Sequence, residues 1–313
     1  MFQRILVPLD GSTRAEQALP VAARLAHASN GTIVLLQAVN LPNQFASYID
    51  LEPLTTQAVI DTQLEEAKNY LDRLTHSNDL SNVHTETAVM IGQPAIHILS
   101  VVDTRTIDLV VMCSHGYTGM TRWVLGSVAE KVAHHSPVPV LLLHEEKPLL
   151  AGRHPNGGST LRALIPLDGS MYALTAIAPA AQLVTALSAL GGGALHLTQV
   201  VVMTEGEAIL QQVKQNLSAT VEEMHTGLIA SPGIDHRLSV TWSVTVGDDI
   251  AAGIARMAEN GEAVEGYDII AMATHGYSGL QRWPVGSITE RVLHATRLPL
   301  LIVRPPDGAT KEH

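Results

Sequence analysis

Residues 4–19 read RILVPLDGSTRAEQAL, and residues 162–177 read RALIPLDGSMYALTAI. Nine of the sixteen positions are identical. In both stretches a run of mainly apolar residues leads into Asp-Gly-Ser, and apolar residues at helical spacing follow. A run of this kind is typical of a strand that is buried on both faces of a parallel sheet. Each stretch therefore predicts a buried strand, a tight turn and a helix.

Another segment also occurs twice in the chain. Residues 114–143 and 274–303 are identical at thirteen of thirty positions. The blocks keep their order and nearly their spacing, so the chain contains two copies of one domain, copy one and copy two. We place the boundaries of the copies at 1–146 and 161–306, with a tail at 307–313. The segment between them, 147–160, is rich in glycine and proline and is interpreted as a linker.

Each copy alternates strands with helices, which indicates right-handed parallel crossovers. Predicted strands in copy one are 4–9, 32–39, 83–90, 108–113 and 138–144, and predicted helices are 12–29, 55–74, 94–103 and 127–135. Predicted strands in copy two are 163–167, 194–202, 237–246, 268–273 and 298–303. The predicted fold class is therefore α/β: two tandem doubly wound, Rossmann-like domains, each with a five-stranded parallel sheet flanked by helices.

Composition excludes several classes of protein. Hydrophobic residues make up 46% of the 313 residues, which is too many for a disordered chain. The 30 acidic residues outnumber the 19 basic ones and give a formal charge of −11, so we expect no nucleic-acid partner. The N-terminus shows no signal-peptide pattern and no apolar run reaches the length of a bilayer span, so we expect a cytoplasmic protein without membrane insertion. The single cysteine, Cys113, fits a reducing compartment.

Two polar segments follow predicted strands. In an open parallel sheet, ligands bind beyond the carboxyl ends of the strands, at the point where the strand order reverses. Asp10 and Asp168, at the end of the first strand of each copy, could accept hydrogen bonds from a ribose or hold a metal ion. The alternative is that Asp10 or Ser12 only caps the following helix.

The other segment has the spacing of an anion site. SHG at 114–116 is followed after nine residues by GS at 126–127, and THG at 274–276 is followed at the same interval by GS at 286–287. Glycine before a helix lets backbone N–H groups approach a phosphate. Ser127 with Glu130 also matches a capping box, which predicts a serine N-cap in each copy. A serine-capped helix without a ligand is the alternative.

These motifs resemble the universal stress protein family, in tandem form and over nearly the whole chain. The matching elements are V-P-L-D-G-S, G-x-P at 92–94, S-H-G-x9-G-S and the closing strand P-V-P-V-L-L-L. In ATP-binding members the loop is G-x2-G-x9-G-[ST]. Cys113 and Ala273 stand here at its first glycine, and Gly247-Asp248-Asp249 replaces G-x-P in copy two.

The resemblance implies that the chain binds ATP, with Mg²⁺, as a regulatory or protective stress-response module. In copy one the implied contacts are Pro8, Leu9, Asp10, Ala38, Met112, Ser114, His115, Gly116, Arg122, Gly126, Ser127 and Val128. In copy two they are Pro166, Leu167, Asp168, Val200, Met272, Thr274, His275, Gly276, Arg282, Gly286, Ser287 and Ile288. It also implies pairing through the last strands, within this chain as a pseudo-dimer, with further self-association left open.

Two other functions stay open at this point. Cys113 and Ala273 favour an interaction module that binds no nucleotide, and a slow ATPase would need a water-activating group that no motif supplies. No catalytic residue is predicted, and the fifteen histidines show no metal-ligand spacing, so no metal site is predicted either. We expect copy one to bind nucleotide more tightly, because Asp248 and Asp249 place negative charge near the pocket of copy two. The alternative is that these two residues only cap the following helix and point to solvent.

Overall fold

The computed structural model describes residues 1–40, 53–114, 125–144, 149, 160–188, 192–202, 206–226, 238–260, 266–274 and 286–305. The strands are β1 (Arg4–Leu9), β2 (Thr32–Val39), β3 (His84–Ile91), β4 (Leu109–Cys113), β5 (Val140–Leu143), β6 (Arg162–Pro166), β7 (Ala194–Val202), β8 (Ser239–Gly247), β9 (Ile269–Ala273) and β10 (Leu300–Val303). The helices are α1 (Thr13–Glu16), α2 (Ala18–Ser29), α3 (Pro53–Thr75), α4 (Pro94–Thr104), α5 (Ser127–His135), α6 (Met171–Leu174), α7 (Ile177–Leu187), α8 (Gly206–Thr226), α9 (Ile250–Asn260) and α10 (Ser287–Ala295). Asn78–Leu80 forms one 3-10 turn.

All ten strands belong to one sheet, in the order β3-β2-β1-β4-β5-β10-β9-β6-β7-β8. Strands within each copy are parallel, which confirms the predicted α/β class with five parallel strands per copy. The copies meet where β5 pairs antiparallel with β10, with Leu141 opposite Leu301. The strands of copy two therefore run opposite to those of copy one, and the carboxyl ends of the two half-sheets lie at opposite edges.

Helices cover both faces of the sheet. Successive strand residues point to opposite faces, so Ile5 and Val7 belong to one apolar core and Leu6 to the other. The first core lies under α2 and α7 and joins residues of both copies, including Leu141 and Leu301. The second core lies under α4, α5, α9 and α10. The result is three layers, with the sheet in the middle.

Prolines account for several differences between predicted and observed boundaries. The predicted helix over 12–29 is two helices, because Pro20 has no N–H to donate to the carbonyl of Glu16. The last strand of each copy begins two residues later than predicted, at Val140 and at Leu300. Each of these residues follows a proline, which has no N–H to donate to a neighbouring strand. Among the helices in the described part of the chain, none combines the length and the apolar character that a bilayer span requires.

Two partly buried histidines make stability depend on pH. Burial is the main reason that the pKa values of His134 and His196 lie below the usual value for histidine, although Glu130 and Glu290 act in the opposite direction on His134. His134 Nε2 is buried and has no hydrogen-bond partner among the described residues. When folding lowers the pKa of a histidine, the residue does not affect stability at pH values above its ordinary pKa. As the pH falls from the ordinary pKa toward the folded-state pKa, the unfolded state binds a proton more readily, and the free energy of unfolding decreases.

We therefore expect the free energy of unfolding to fall as the pH is lowered from 7 to 5. In the double variant His134→Gln, His196→Gln this fall is expected to be shallower, because glutamine does not titrate. Urea unfolding followed by circular dichroism at several pH values measures the slope for the wild type, each single variant and the double variant. An unchanged slope in the double variant would contradict the assignment to these two residues.

Candidate functional site

A cavity of about 860 Å³ lies at the carboxyl edge of copy one. It sits where the strand order reverses between β1 and β4, which is the position that doubly wound sheets use for ligands. Its volume is within the range of small-molecule and cofactor pockets. All nine implied contacts of copy one that the structure describes line this cavity: Pro8, Leu9, Asp10, Ala38, Met112, Ser114, Gly126, Ser127 and Val128.

The turn after β1 fixes the orientation of Asp10. Gly11 has φ +83°, a conformation that side chains disfavour, and this lets the chain turn sharply into α1. The Asp10 carboxylate accepts hydrogen bonds from Ser12 N at 3.0 Å and Ser12 Oγ at 2.6 Å, while Ser12 Oγ accepts from Ala15 N at 3.2 Å. Ser12 is thus the N-cap of α1, and Asp10 positions Ser12 while lining the cavity. Asp168, Ser170 and Ala173 repeat the arrangement in copy two.

A glycine is the N-cap of the helix at the other side of the cavity. Gly126 is the N-cap of α5 and makes no side-chain cap bond, and Gly286 has the same role in α10. The predicted serine cap is therefore wrong: Ser127 is the first helical residue, one position too late to cap, and Glu130 lies one position too late for a capping box. Because glycine offers no side-chain oxygen, the first-turn N–H groups lack a capping side chain, and the first-turn residues Ser127, Val128 and Ala129 line the cavity.

A backbone bond ties this helix to the end of β4. Gly126 N donates to Ser114 O at 2.8 Å, and Gly286 N donates to Thr274 O at 2.6 Å. Six implied contacts lie outside the described residues: His115, Gly116, Arg122, His275, Gly276 and Arg282. Of the nine other implied contacts of copy two, six lie at the carboxyl edge of its own half-sheet: Pro166, Leu167, Asp168, Met272, Thr274 and Val200, the last near the end of β7. Gly286, Ser287 and Ile288 begin α10 there.

A polar wall of the cavity was missed by the sequence analysis. Gln63, Glu66, Tyr70 and Arg73 line it from α3. Tyr70 OH donates to Glu16 Oε1 at 3.0 Å, and burial, followed by the charge of Glu16, raises the pKa of Tyr70 above its usual value. Arg73 lies 6.0 Å from the Tyr70 ring centre. The intervals of three and four residues along α3 were the available signal, since they place these side chains on one helical face.

Two buried acceptors at the cavity have no partner. Gln37 Oε1 and Gln63 Oε1 are buried and accept no hydrogen bond from the described residues. The two side chains line the cavity, but both oxygens lie beneath its surface, so these unpaired acceptors do not by themselves indicate a ligand.

One of the two carboxylates that are predicted to repel a nucleotide in copy two is paired with an arginine in the structure. Asp249 accepts from Ala252 N at 2.8 Å and forms an ion pair with Arg291 of α10. The capping bond and then Arg291 lower the pKa of Asp249, so its carboxylate is ionised but paired. The repulsion expected from Asp249 is thereby reduced, so Asp249 gives little support to the prediction that copy one binds nucleotide more tightly.

The fold and its cavity define a tandem doubly wound α/β protein with a ligand-sized site at the switch point of copy one. The sequence profile of the universal stress protein family matches residues 1–144 and 160–304. The chain belongs to the universal stress protein family, with two such domains in tandem.

Relatives and solved structures agree with this assignment. A universal stress protein of Mycobacterium tuberculosis is 24% identical over 320 residues, covering 96% of each chain. One from Thermus aquaticus is 31% identical over 144 residues, covering 46% of this chain and 99% of the relative. A universal stress protein structure from Archaeoglobus fulgidus has a TM-score of 0.66 at 21% identity, covering 96% of this chain and 98% of that one, which supports the fold.

Proposed function

We propose that copy one of this universal stress protein binds an adenine nucleotide, ATP with Mg²⁺, and acts as a regulatory or protective module. The observation that carries the proposal is the single cavity that joins Asp10 to the glycine-capped first turn of α5. First-turn N–H groups and the positive end of the helix dipole favour phosphate at that turn.

The residues at the cavity fit the other parts of a nucleotide. The glutamine side chains Gln37 and Gln63 line the cavity and offer amide groups that can hydrogen-bond to the ribose or the base. Asp10 would contact the ribose or the phosphates, and its carboxylate could hold Mg²⁺ together with the phosphate oxygens. When bound, Mg²⁺ would neutralise part of the phosphate charge beside this carboxylate.

Calorimetry on the purified chain tests the proposal. ATP with Mg²⁺ is titrated into the protein, and tripolyphosphate, which lacks the base and the sugar, is titrated separately for comparison. A turnover assay measures ATP hydrolysis by the same protein. We expect ATP to bind more tightly than tripolyphosphate and to be hydrolysed slowly at most. No ATP binding would favour the alternative, an interaction module without nucleotide, to which Cys113 at the loop's first glycine position also points.

Cys113 supplies a second test of the same turn. Its thiol donates to Arg14 O at 2.8 Å, and the residue lines the cavity at the end of β4. We expect Cys113→Gly to tighten ATP binding severalfold, because it removes a side chain from the wall and restores the family's glycine. Calorimetry measures the change, with Ala273→Gly as the matched variant in copy two. Weaker binding by Cys113→Gly would mean that the turn does not meet the phosphates.

A further inference from the structure

The antiparallel junction brings the end of a copy-two helix to the carboxyl edge of copy one. Leu300 at the start of β10 pairs with Leu142 near the carboxyl end of β5. The chain that leads into β10, including the end of α10 at Ala295, therefore lies beside the carboxyl end of β5. Because α10 begins at the glycine-capped turn of copy two, this one helix of nine residues reaches from that turn to the edge of copy one.

A small cavity marks the place where this helix end meets copy one. Its lining residues are Ser114, Leu125, Leu142 and His144 of copy one and Leu293, His294, Thr296 and Leu300 of copy two. Ser114 also lines the large cavity, and its carbonyl accepts the hydrogen bond from Gly126 N at 2.8 Å. The small cavity therefore lies directly behind the turn where phosphate is proposed to bind.

Two histidines, one from each copy, line the small cavity, and we call His144 and His294 the junction histidines. His144 directly follows β5 and is partly buried, whereas His294 lies in the last turn of α10 and is exposed. The last turn of a helix favours a cationic side chain. Histidine gains its positive charge between about pH 8 and pH 5. Mild acid therefore places positive charge from both copies behind the phosphate turn of copy one.

The repeat places a basic residue at the corresponding position of copy two. Arg304 follows the closing strand β10 as His144 follows β5. Ser114 N donates to Leu143 O at 2.9 Å, and the equivalent bond of copy two measures 2.8 Å, so the residue after each closing strand stands close to the start of its loop. Arginine keeps its charge where histidine loses it. Positive charge at this position is thus common to both copies, but it depends on pH only in copy one.

Other charged groups lie on the elements that flank the small cavity. In the described part of the chain these are Glu130, Lys131, His134 and His135 of α5, Asp248, Asp249, Arg256 and Glu259 at or in α9, and Glu290, Arg291 and Arg297 in or after α10. Asp249 is paired with Arg291, and Glu259 accepts from Arg297 N at 3.1 Å. Because all these groups stay the same when only a junction histidine is changed, a comparison of variants at one pH isolates the junction histidines.

From this arrangement we infer that the junction histidines strengthen nucleotide binding by copy one when they are protonated, so that copy two contributes a charged residue, His294, to the site of copy one. The inference rests on the proposed function and adds a pH-dependent control of that same site. Its cause is the attraction between imidazolium and phosphate, which solvent around the exposed His294 screens. The expected effect is therefore a graded change of affinity rather than an on–off switch.

Calorimetry at pH 8 and pH 6 tests the inference. ATP with Mg²⁺ is titrated into the full chain as wild type, His144→Gln, His294→Gln and the double variant, with His225→Gln, an exposed histidine of α8, as the control. We expect the gain in affinity on lowering the pH to be about threefold smaller in the double variant than in the wild type, and unchanged in His225→Gln. Protonation of ATP itself affects every variant equally.

A permanent charge at the same position gives the complementary result. His144→Arg introduces the residue that copy two has there. We expect this variant to bind ATP more tightly than the wild type at pH 8 and to gain less affinity at pH 6. Thermal unfolding at both pH values identifies any variant that has lost its fold.

Histidine NMR on the wild type provides a readout that needs no folded variant. Coupling between two binding equilibria is reciprocal, so a phosphate that binds more tightly to the protonated protein also favours the protonated histidines. We expect ATP to move the titrations of His144 and His294 to higher pH and to leave that of His225 in place. A residue with a purely structural role would not show this displacement.

The outcomes separate the inference from the proposed function. ATP binding with the same pH dependence in the wild type and the folded double variant, or unmoved titrations of both junction histidines, would overturn the inference and leave the proposed function standing. No ATP binding by the wild type at either pH would refute the proposed function, and the inference with it.

Discussion

Replacing Gly126 with valine is expected to abolish ATP binding while leaving the fold intact. Gly126 has φ −62° and ψ 141°, an extended conformation that valine adopts without strain. The loss therefore comes from the side chain, which would stand over the first-turn N–H groups of α5 where phosphate is proposed to bind. We expect affinity to fall by well over tenfold, that is by more than about 1.4 kcal/mol of binding free energy.

Gly126→Ser separates binding from stability at the same position. Serine is a slightly better N-cap than glycine, by a few tenths of a kcal/mol, so the melting temperature should stay equal or rise. Its hydroxyl would accept from a first-turn N–H group and compete with the phosphate, so ATP should bind more weakly. Gly286→Val is the matched control in copy two and should leave the copy-one site unchanged. ATP affinity equal to the wild type in Gly126→Val, measured by calorimetry, would refute the phosphate-turn assignment.

Leu141→Ala is expected to destabilise both copies together. Leu141 is 0% exposed, lies opposite Leu301 across the β5–β10 junction and belongs to the core that joins the copies. Truncation of a buried leucine leaves a cavity and costs about 2–5 kcal/mol. Because one core spans the junction, we expect a single unfolding transition, displaced to lower urea concentration.

An exposed apolar residue provides the control for this variant. Ile96 on α4 is 59% exposed, and Ile96→Ala should change the free energy of unfolding by no more than about 0.5 kcal/mol. Urea unfolding followed by circular dichroism and by tryptophan fluorescence tests whether the probes report one transition. Two separate transitions in the wild type, or a shift no larger than that of Ile96→Ala, would contradict a shared core.

The sequence was sufficient for the fold because its signals are local and repeated. The run ending at Leu9 and its copy ending at Leu167 each predict a buried strand, and the observed strands agree to within about one residue. The turn residues Asp10 and Gly126 also lie at the carboxyl edge, as parallel strands require.

The other features of the candidate site depend on contacts that the spacing of residues in the sequence does not reveal. The predicted serine cap at Ser127 is wrong because the preceding glycine, Gly126, is the N-cap and Ser127 is already helical. Tyr70 reaches the cavity only through the packing of α3, and its partner Glu16 lies 54 positions away in sequence. The close packing of Val200 on α9 is likewise visible only in the structure, where a Cβ on Gly253 would lie 3.1 Å from Val200 Cγ1.

The antiparallel junction of β5 with β10 has a consequence for divergence after duplication. Separate subunits of a symmetric dimer share one gene, so every substitution appears in both, and they dissociate on dilution. Here the two halves are covalently joined, so the junction forms at any protein concentration and each half can acquire its own substitutions. Because their carboxyl edges face opposite ways, a substitution at one edge leaves the other edge untouched. Fusion thus allows the carboxyl edges of the two halves to diverge independently.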